Sequence, residues 1–240
     1  MNILVTGGSS GLGKAIVHAL AAQPGNNVTF TYCNNRESAL SMTTQLSGVR
    51  AVKCDFFNSK QVDELLQSFD WNSLDVLINN AFGGPFLDRY FHKTSEDEFS
   101  RTFACNVIPT IRITQQAITA FRKRKQGRII TVLTAALTNR PPMGSSLYVA
   151  AKAYLAELSK CWSVENASFK ISVNTVSPSF MTTHFTSGID ERLQEEMRSK
   201  HSLKEFLSCE EAAQTVLFLT QAGPHLNGVD ILLNGGADLK

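Results

Sequence analysis

The chain has 240 residues, of which 43% are hydrophobic and 18% charged, enough apolar material for one core and too little charge for a disordered polymer. Lys and Arg number 23 against 21 Asp and Glu, and the resulting net charge of +2 excludes a global electrostatic pull toward nucleic acid or a membrane surface. The five cysteines, Cys33, Cys54, Cys105, Cys161 and Cys209, form neither an even set nor a CxxC pair, so free thiols in a reducing compartment are expected rather than a disulfide scaffold or a zinc ribbon. No stretch reaches the ~18 apolar residues of a spanning helix, and the opening residues lack a basic segment followed by a long apolar run. A cytoplasmic protein is the expectation.

In chain order, residues 2–6 read as a short apolar strand running into glycines. Leu12, Ile16, Ala19 and Leu20 then share one side of a helix. Residues 28–32 read as a second strand, 39–46 as a helix and 49–53 as a third strand, followed by a helical stripe of Val62, Leu65, Leu66 and Phe69. A fourth strand at 74–78 ends at Asn79 and Asn80. A helix is predicted over 96–123, with Pro109 placing a kink or split between 106 and 110. A fifth strand at 128–133, a helix at 147–167, a sixth strand at 170–176, a helix at 210–220 and a last strand at 229–233 complete the pattern. The polar segment 180–204 is a weak strand candidate and reads as a lid over a site.

Strands alternate with helices, and hairpin turns are missing. The pattern predicts an α/β fold. It is a single Rossmann-type domain over 1–240, with a doubly wound parallel sheet of about seven strands and helices on both faces. Ligands are expected beyond the C-terminal strand ends. The basic run Arg122, Lys123, Arg124, Lys125 and Arg128 suits a helix end followed by a solvated turn; an anionic partner is the alternative.

Thr6-Gly7-Gly8-Ser9-Ser10-Gly11-Leu12-Gly13 follows the first strand and opens the first helix, the context in which a glycine motif binds a dinucleotide. Gly7 permits the tight turn, Gly11 lets a pyrophosphate approach, and Gly13 lets the helix sit close to the sheet. Ser9, Ser10 and Leu12 complete the candidate phosphate site. Lys14 is followed by Ala15, which speaks against an ATP-binding loop. The second strand ends Thr31-Tyr32-Cys33-Asn34-Asn35-Arg36 with no acid before Glu37, so Asn34 and Arg36 are placed on a 2′-phosphate and the cofactor is read as NADP rather than NAD. Asp55 and Phe56, after the third strand, are placed near the adenine; a helix cap is the other reading of Asp55.

Tyr148 and Lys152 share a helical face. A tyrosine exchanges protons too reluctantly at neutrality unless a cation lowers its pKa, so the pair makes chemical sense beside a nicotinamide. With Asn79-Asn80-Ala81, Asn106, Gly127-Arg128-Ile129-Ile130, Ser177-Pro178, Asn227-Gly228 and Gly235-Gly236 at matching positions, the sequence resembles the short-chain dehydrogenase/reductase family over nearly its whole length. It is most similar there to reductases of the 3-oxoacyl-acyl-carrier-protein type. The resemblance implies Tyr148 as proton donor in reduction, Lys152 as the group that lowers its pKa and holds the nicotinamide ribose, and Asn106 at a helix irregularity supporting a proton-relaying water. It implies Asn80 and Ala81 along the cofactor, with Pro178 and Thr183 near the carboxamide. It also implies a homotetramer assembled through the two long helices.

Three departures stand out. The family's serine after the fifth strand is matched by Thr134, one position farther from Tyr148 than is common; Ser145 and Ser146 are the other hydroxyls nearby. Phe82 stands where glycine is usual, and Ser179 follows Pro178 where glycine is common. Phe82, Phe86, Leu137, Met143, Phe180, Met181 and Phe185 are nominated as pocket walls, suggesting a partly apolar substrate. The expected reaction moves a hydride between NADPH and a carbonyl or secondary alcohol. A 3-oxoacyl ketone, with the basic run docking an acyl carrier protein, is one form of it. Two alternatives stay open: an NAD(P)-dependent alcohol or sugar dehydrogenase, and a weakly catalytic NADP-binding regulator.

Overall fold

The computed structural model describes residues 1–237; the part of the single-domain expectation that falls on 238–240 lies outside the described residues. Seven strands, β1 (Asn2–Val5), β2 (Asn27–Tyr32), β3 (Val49–Lys53), β4 (Val76–Asn79), β5 (Gly127–Val132), β6 (Ile171–Pro178) and β7 (Asp230–Leu233), form one parallel sheet in the order β3-β2-β1-β4-β5-β6-β7. Successive side chains on a strand point to opposite faces, so each central strand feeds two cores. Ile3 and Val5 of β1, with Val76 and Ile78 of β4, enter the core beneath α1 (Gly11–Ala21), α2 (Arg36–Gln45) and α8 (Cys209–Gln221). Leu4, Leu77 and Ile129 enter the opposite core beneath α3 (Ser59–Ser68), α5 (Ile108–Arg124) and α6 (Ser146–Asn166). This is the expected α/β fold: one Rossmann-type domain with helices on both faces. Among the described residues no helix is long and apolar enough to cross a membrane.

Some boundaries move for local reasons. α2 begins three residues before the expected start because the Asn35 side chain accepts from the Ser38 amide. The long helix does split, but its irregularity is a π-turn at Phe103–Val107 between α4 (Glu96–Thr102) and α5. Pro109 occupies the first turn of α5, where its missing N–H matters least. β6 runs on to Pro178 because β7 pairs with it that far.

The strand candidate in 180–204 is overturned. A short 3-10 turn (His184–Thr186) leads to α7 (Glu191–Lys200), capped by Asp190, which accepts from the Arg192 and Leu193 amides. Arg198–Glu195 and Lys200–Glu196 pairs suit a helix whose residues all remain at least partly exposed. Arg122, Lys123 and Arg124 close α5 and Lys125 sits in the left-handed conformation just past its end, whereas Arg128 lies in β5 rather than in the turn.

Candidate active site

The chain reverses its direction of travel across the sheet between β1 and β4, and the loops leaving those strands part there. A cleft of about 1810 Å³ runs along the C-terminal strand ends from the glycine turn to α7.

The turn after β1 is held by backbone geometry. Gly7 has φ of 70°, and a Cβ on it would lie 2.9 Å from the Ala81 Cα. A Cβ on Gly13 would lie 2.0 Å from the Gly7 carbonyl oxygen, so only glycine lets α1 start this close to β1. Thr6 ties the turn to β4: its hydroxyl accepts from the Asn80 and Ala81 amides, each at 3.0 Å, while the Asn80 carboxamide donates to the Thr6 and Gly7 carbonyls. Ser10 is the N-cap of α1, yet no side chain caps that first turn. Its leading amides therefore lack intrahelical partners, and Gly11, Leu12 and Gly13 line the cleft with Ser9 and Ser10. Unpartnered amides at the positive end of a helix dipole fit a pyrophosphate.

At the far end of β2, Asn34 and Asn35 line the cleft, and Asp55 and Phe56 face it from β3. Arg36 is exposed in the first turn of α2 beside them and is not part of the cleft wall. The Asp55 carboxylate accepts from the Phe57 amide at 2.9 Å; the helix cap is Asn58, which corrects the capping alternative for Asp55. Burial raises the thiol pKa of Cys33, and that of Cys54 to about 12, with Asp55 adding to both.

At the other end, α6 presents Tyr148 and Lys152, both buried. Lys152 Nζ donates to the Val132 carbonyl at 2.6 Å and lies 5.9 Å from the Tyr148 ring centre. Burial pushes the Tyr148 phenol up to about 12, opposed by the nearby Thr134 hydroxyl, and pushes Lys152 down to about 7. In the unliganded site burial therefore outweighs any lowering of the phenol by the ammonium. Thr134 lines the cleft, whereas Ser145 donates to the Pro142 carbonyl at 2.7 Å and the buried Ser146 hydroxyl has no partner. Thr134 is therefore the hydroxyl beside the phenol. Phe82, Phe86 and Phe185 surround the Tyr148 ring, and Lys152 Nζ sits 5.2 Å above the Phe82 ring centre.

Pro178 and Thr183 line the cleft, and a Cβ on Gly11 would lie 3.4 Å from Thr183, so this segment closes over the glycine turn. Asn106 lies in the π-turn as expected, but its carboxamide is engaged with the loop after β4. It accepts from the Gly83 amide at 2.7 Å and donates to the Gly83 carbonyl at 3.1 Å. Leu137 packs against the core instead of lining the cleft. Ser179 is accommodated without strain: it is absent from the residues with left-handed backbone, and its amide bonds to Leu233. Neither the Val132 carbonyl nor the Thr6 stitch is predicted from the sequence. The first is backbone and leaves no sequence signal; the second is signalled by the hydroxyl directly after β1.

Fold and cleft together define a dinucleotide-binding α/β oxidoreductase. A family model described as enoyl-(acyl carrier protein) reductase matches residues 7–238. The chain belongs to the short-chain dehydrogenase/reductase family, whose reductases act on carbonyls or alcohols with a nicotinamide cofactor. It is 30% identical to the 3-oxoacyl-(acyl-carrier-protein) reductase FabG of Staphylococcus epidermidis, covering 97% of each chain. It is 28% identical to carbonyl reductase family member 4 of Xenopus laevis, covering 98% of this chain and 97% of that one. A short chain dehydrogenase from Burkholderia cenocepacia, solved in complex with NADP, superposes with a TM-score of 0.84 at 28% identity, covering 99% of this chain and 97% of the other.

Proposed function

We propose that this chain is an NADPH-dependent reductase of a ketone, with the reaction at the Tyr148 end of the cleft. NADPH, when bound, supplies the hydride. Gly7, Ser9, Ser10, Gly11, Leu12 and Gly13 hold its pyrophosphate, Asn34 and Arg36 its 2′-phosphate, and Asp55 and Phe56 flank its adenine. Asn80, Ala81, Pro178 and Thr183 border its nicotinamide half, with Lys152 on the ribose. The NADP reading is supported by the lack of an acid at the end of β2 and by the NADP-bound Burkholderia relative.

The observation that carries the reading is a neutral, desolvated phenol beside a second hydroxyl, at the end of a cleft that begins with a phosphate-binding turn. A carbonyl that gains a hydride becomes an alkoxide, which is more basic than a phenolate even with a phenol pKa near 12, so the proton runs downhill from Tyr148. Thr134 donates a hydrogen bond to the same oxygen. Lys152, brought to about 7, exchanges protons readily near neutrality and suits return of a proton to Tyr148. In the reverse direction the same phenol would act as the base, so the direction is taken from the relatives, which are named as reductases. Asn106 is a positioning residue for the loop at Gly83. Segment 180–204 is the lid, its helix α7 lending Leu193 and Met197 to the cleft wall.

The relatives' names include a 3-oxoacyl ketone as one substrate form, and the reading takes from them only the ketone. The exposed Tyr154 and Val164 on α6 support homo-oligomeric assembly through the long helices, and five free cysteines suit a reducing compartment. The test is NADPH oxidation over a ketone panel, with NADPH affinity measured by fluorescence titration. Tyr148→Phe is expected to lose about 10²–10⁴-fold in turnover while keeping its NADPH affinity. Normal turnover in that variant overturns the assignment, and tight NADPH binding with no turnover of any ketone favours the regulator.

A further inference from the structure

We infer that the reacting end selects a compact, ring-bearing ketone, aryl or alicyclic, over an open acyl chain; this rests on the ketone-reductase reading above. One convergence of side chains supports it.

It is the wall around the phenol. The ring centres of Phe82, Phe86 and Phe185 lie 4.9, 5.1 and 5.6 Å from that of Tyr148. Phe82 and Phe86 stand nearly edge-on to it, with interplanar angles of 82° and 72°. Phe180 extends the row, 6.3 Å from Phe86. Phe82 and Phe86 come from the loop after β4, Phe180 and Phe185 from the segment after β6, so two separate parts of the chain converge on one spot. A carbonyl oxygen held between the Tyr148 and Thr134 hydroxyls puts the substituents of its carbon against these rings. Aromatic walls reward a ring by edge-to-face geometry beyond simple area burial. A ring also enters with few torsions to freeze, whereas an acyl chain loses rotamer freedom at each bond.

The experiment compares kcat/KM, with NADPH saturating, for 1-indanone, 2-tetralone and substituted cyclohexanones against 3-oxo esters and N-acetylcysteamine thioesters of matched carbon number. Phe86→Leu and Phe185→Leu keep an apolar side chain and remove the ring. The ring ketones are expected to be the better substrates. Each variant is expected to lose about five- to tenfold in kcat/KM on rings, with open chains changed by less than about twofold and NADPH affinity retained. Open chains turned over as well as rings, or equal losses on both classes, overturn the inference and leave the reductase reading standing. Tight NADPH binding with turnover of neither class removes both, so the two failures are distinguishable.

Discussion

Lys152 aims its ammonium at the backbone carbonyl of Val132, 2.6 Å away, one strand end from the phenol it is expected to serve. A buried cation with one neutral partner is held in its charged form poorly, and its pKa falls from 10.5 to about 7. The folded chain therefore binds this proton less tightly than the unfolded chain. Below pH 7 both states carry it and the burial penalty is present in full. Between about pH 7 and 10.5 the unfolded state holds more protons, so this site's contribution to stability rises with pH. Lys152→Met removes the charge and keeps the aliphatic stem. Its melting temperature without cofactor is expected to exceed that of the parent at pH 6, with the gap shrinking toward pH 9. In a chain of this size each kcal/mol corresponds to about 2–4 °C. Calorimetry at four pH values checks this; a gap that is constant or widens with pH is the contrary result.

The same pair shows what the sequence could and could not disclose. Helical spacing was enough to place Tyr148 and Lys152 on one face, and the glycine motif was legible because Gly7 and Gly13 occupy positions where a Cβ collides with backbone. The two-core sheet was legible because strand residues such as Ile3, Leu4 and Val5 are apolar at consecutive positions. The direction of the Lys152 side chain was not, since its partner is a carbonyl that any residue at 132 would offer. The aromatic wall was seen only as a set of apolar candidates, because its convergence depends on where two loops fold. α7 was missed because its residues make no apolar stripe; its stability lies in a cap and ion pairs, which periodicity does not detect.

Thr134 tests the role of the second hydroxyl. It lies beside the phenol and lowers its pKa against the rise from burial. Its oxygen also accepts from the Ala136 amide at 3.3 Å, so its one proton points to the phenol in the empty site and must turn to the substrate oxygen when a ketone is bound. Thr134→Val keeps the shape and removes the donor. It is expected to lower kcat about ten- to a hundredfold while NADPH affinity stays within about twofold. Thr134→Ser should retain activity, and Ser146→Ala, which alters a hydroxyl outside the cleft, should turn over normally. Full activity in Thr134→Val would remove the residue from the mechanism.

Arg36 tests the cofactor. A cation in the first turn of α2 opposes the helix dipole, so its presence there has no local stabilising reason. Arg36→Ala is expected to leave the melting temperature unchanged or slightly raised. Its NADPH dissociation constant should rise about tenfold, because a guanidinium–phosphate pair is lost, while that for NADH stays the same. Equal effects on the two cofactors, or none on either, would contradict the 2′-phosphate assignment.

Gly13 tests the phosphate turn itself. A methyl group there would come 2.0 Å from the Gly7 carbonyl oxygen, a distance no relaxation of a side chain relieves, since both partners are backbone. Gly13→Ala must therefore shift α1 away from β1, breaking the approach that Thr6 and Asn80 stitch together from the other side. Overpacking of this kind typically destabilises by about 1–3 kcal/mol. The leading amides of α1 would move with the helix, so NADPH and NADH should both weaken, by at least about tenfold, in contrast to the selective effect at Arg36. Gly188→Ala is the control, because a Cβ there meets nothing within 4 Å and its backbone is not left-handed. Thermal melts and titrations of the two variants decide it: a Gly13→Ala protein that melts with the parent and binds NADPH with unchanged affinity would mean that the turn does not grip the pyrophosphate.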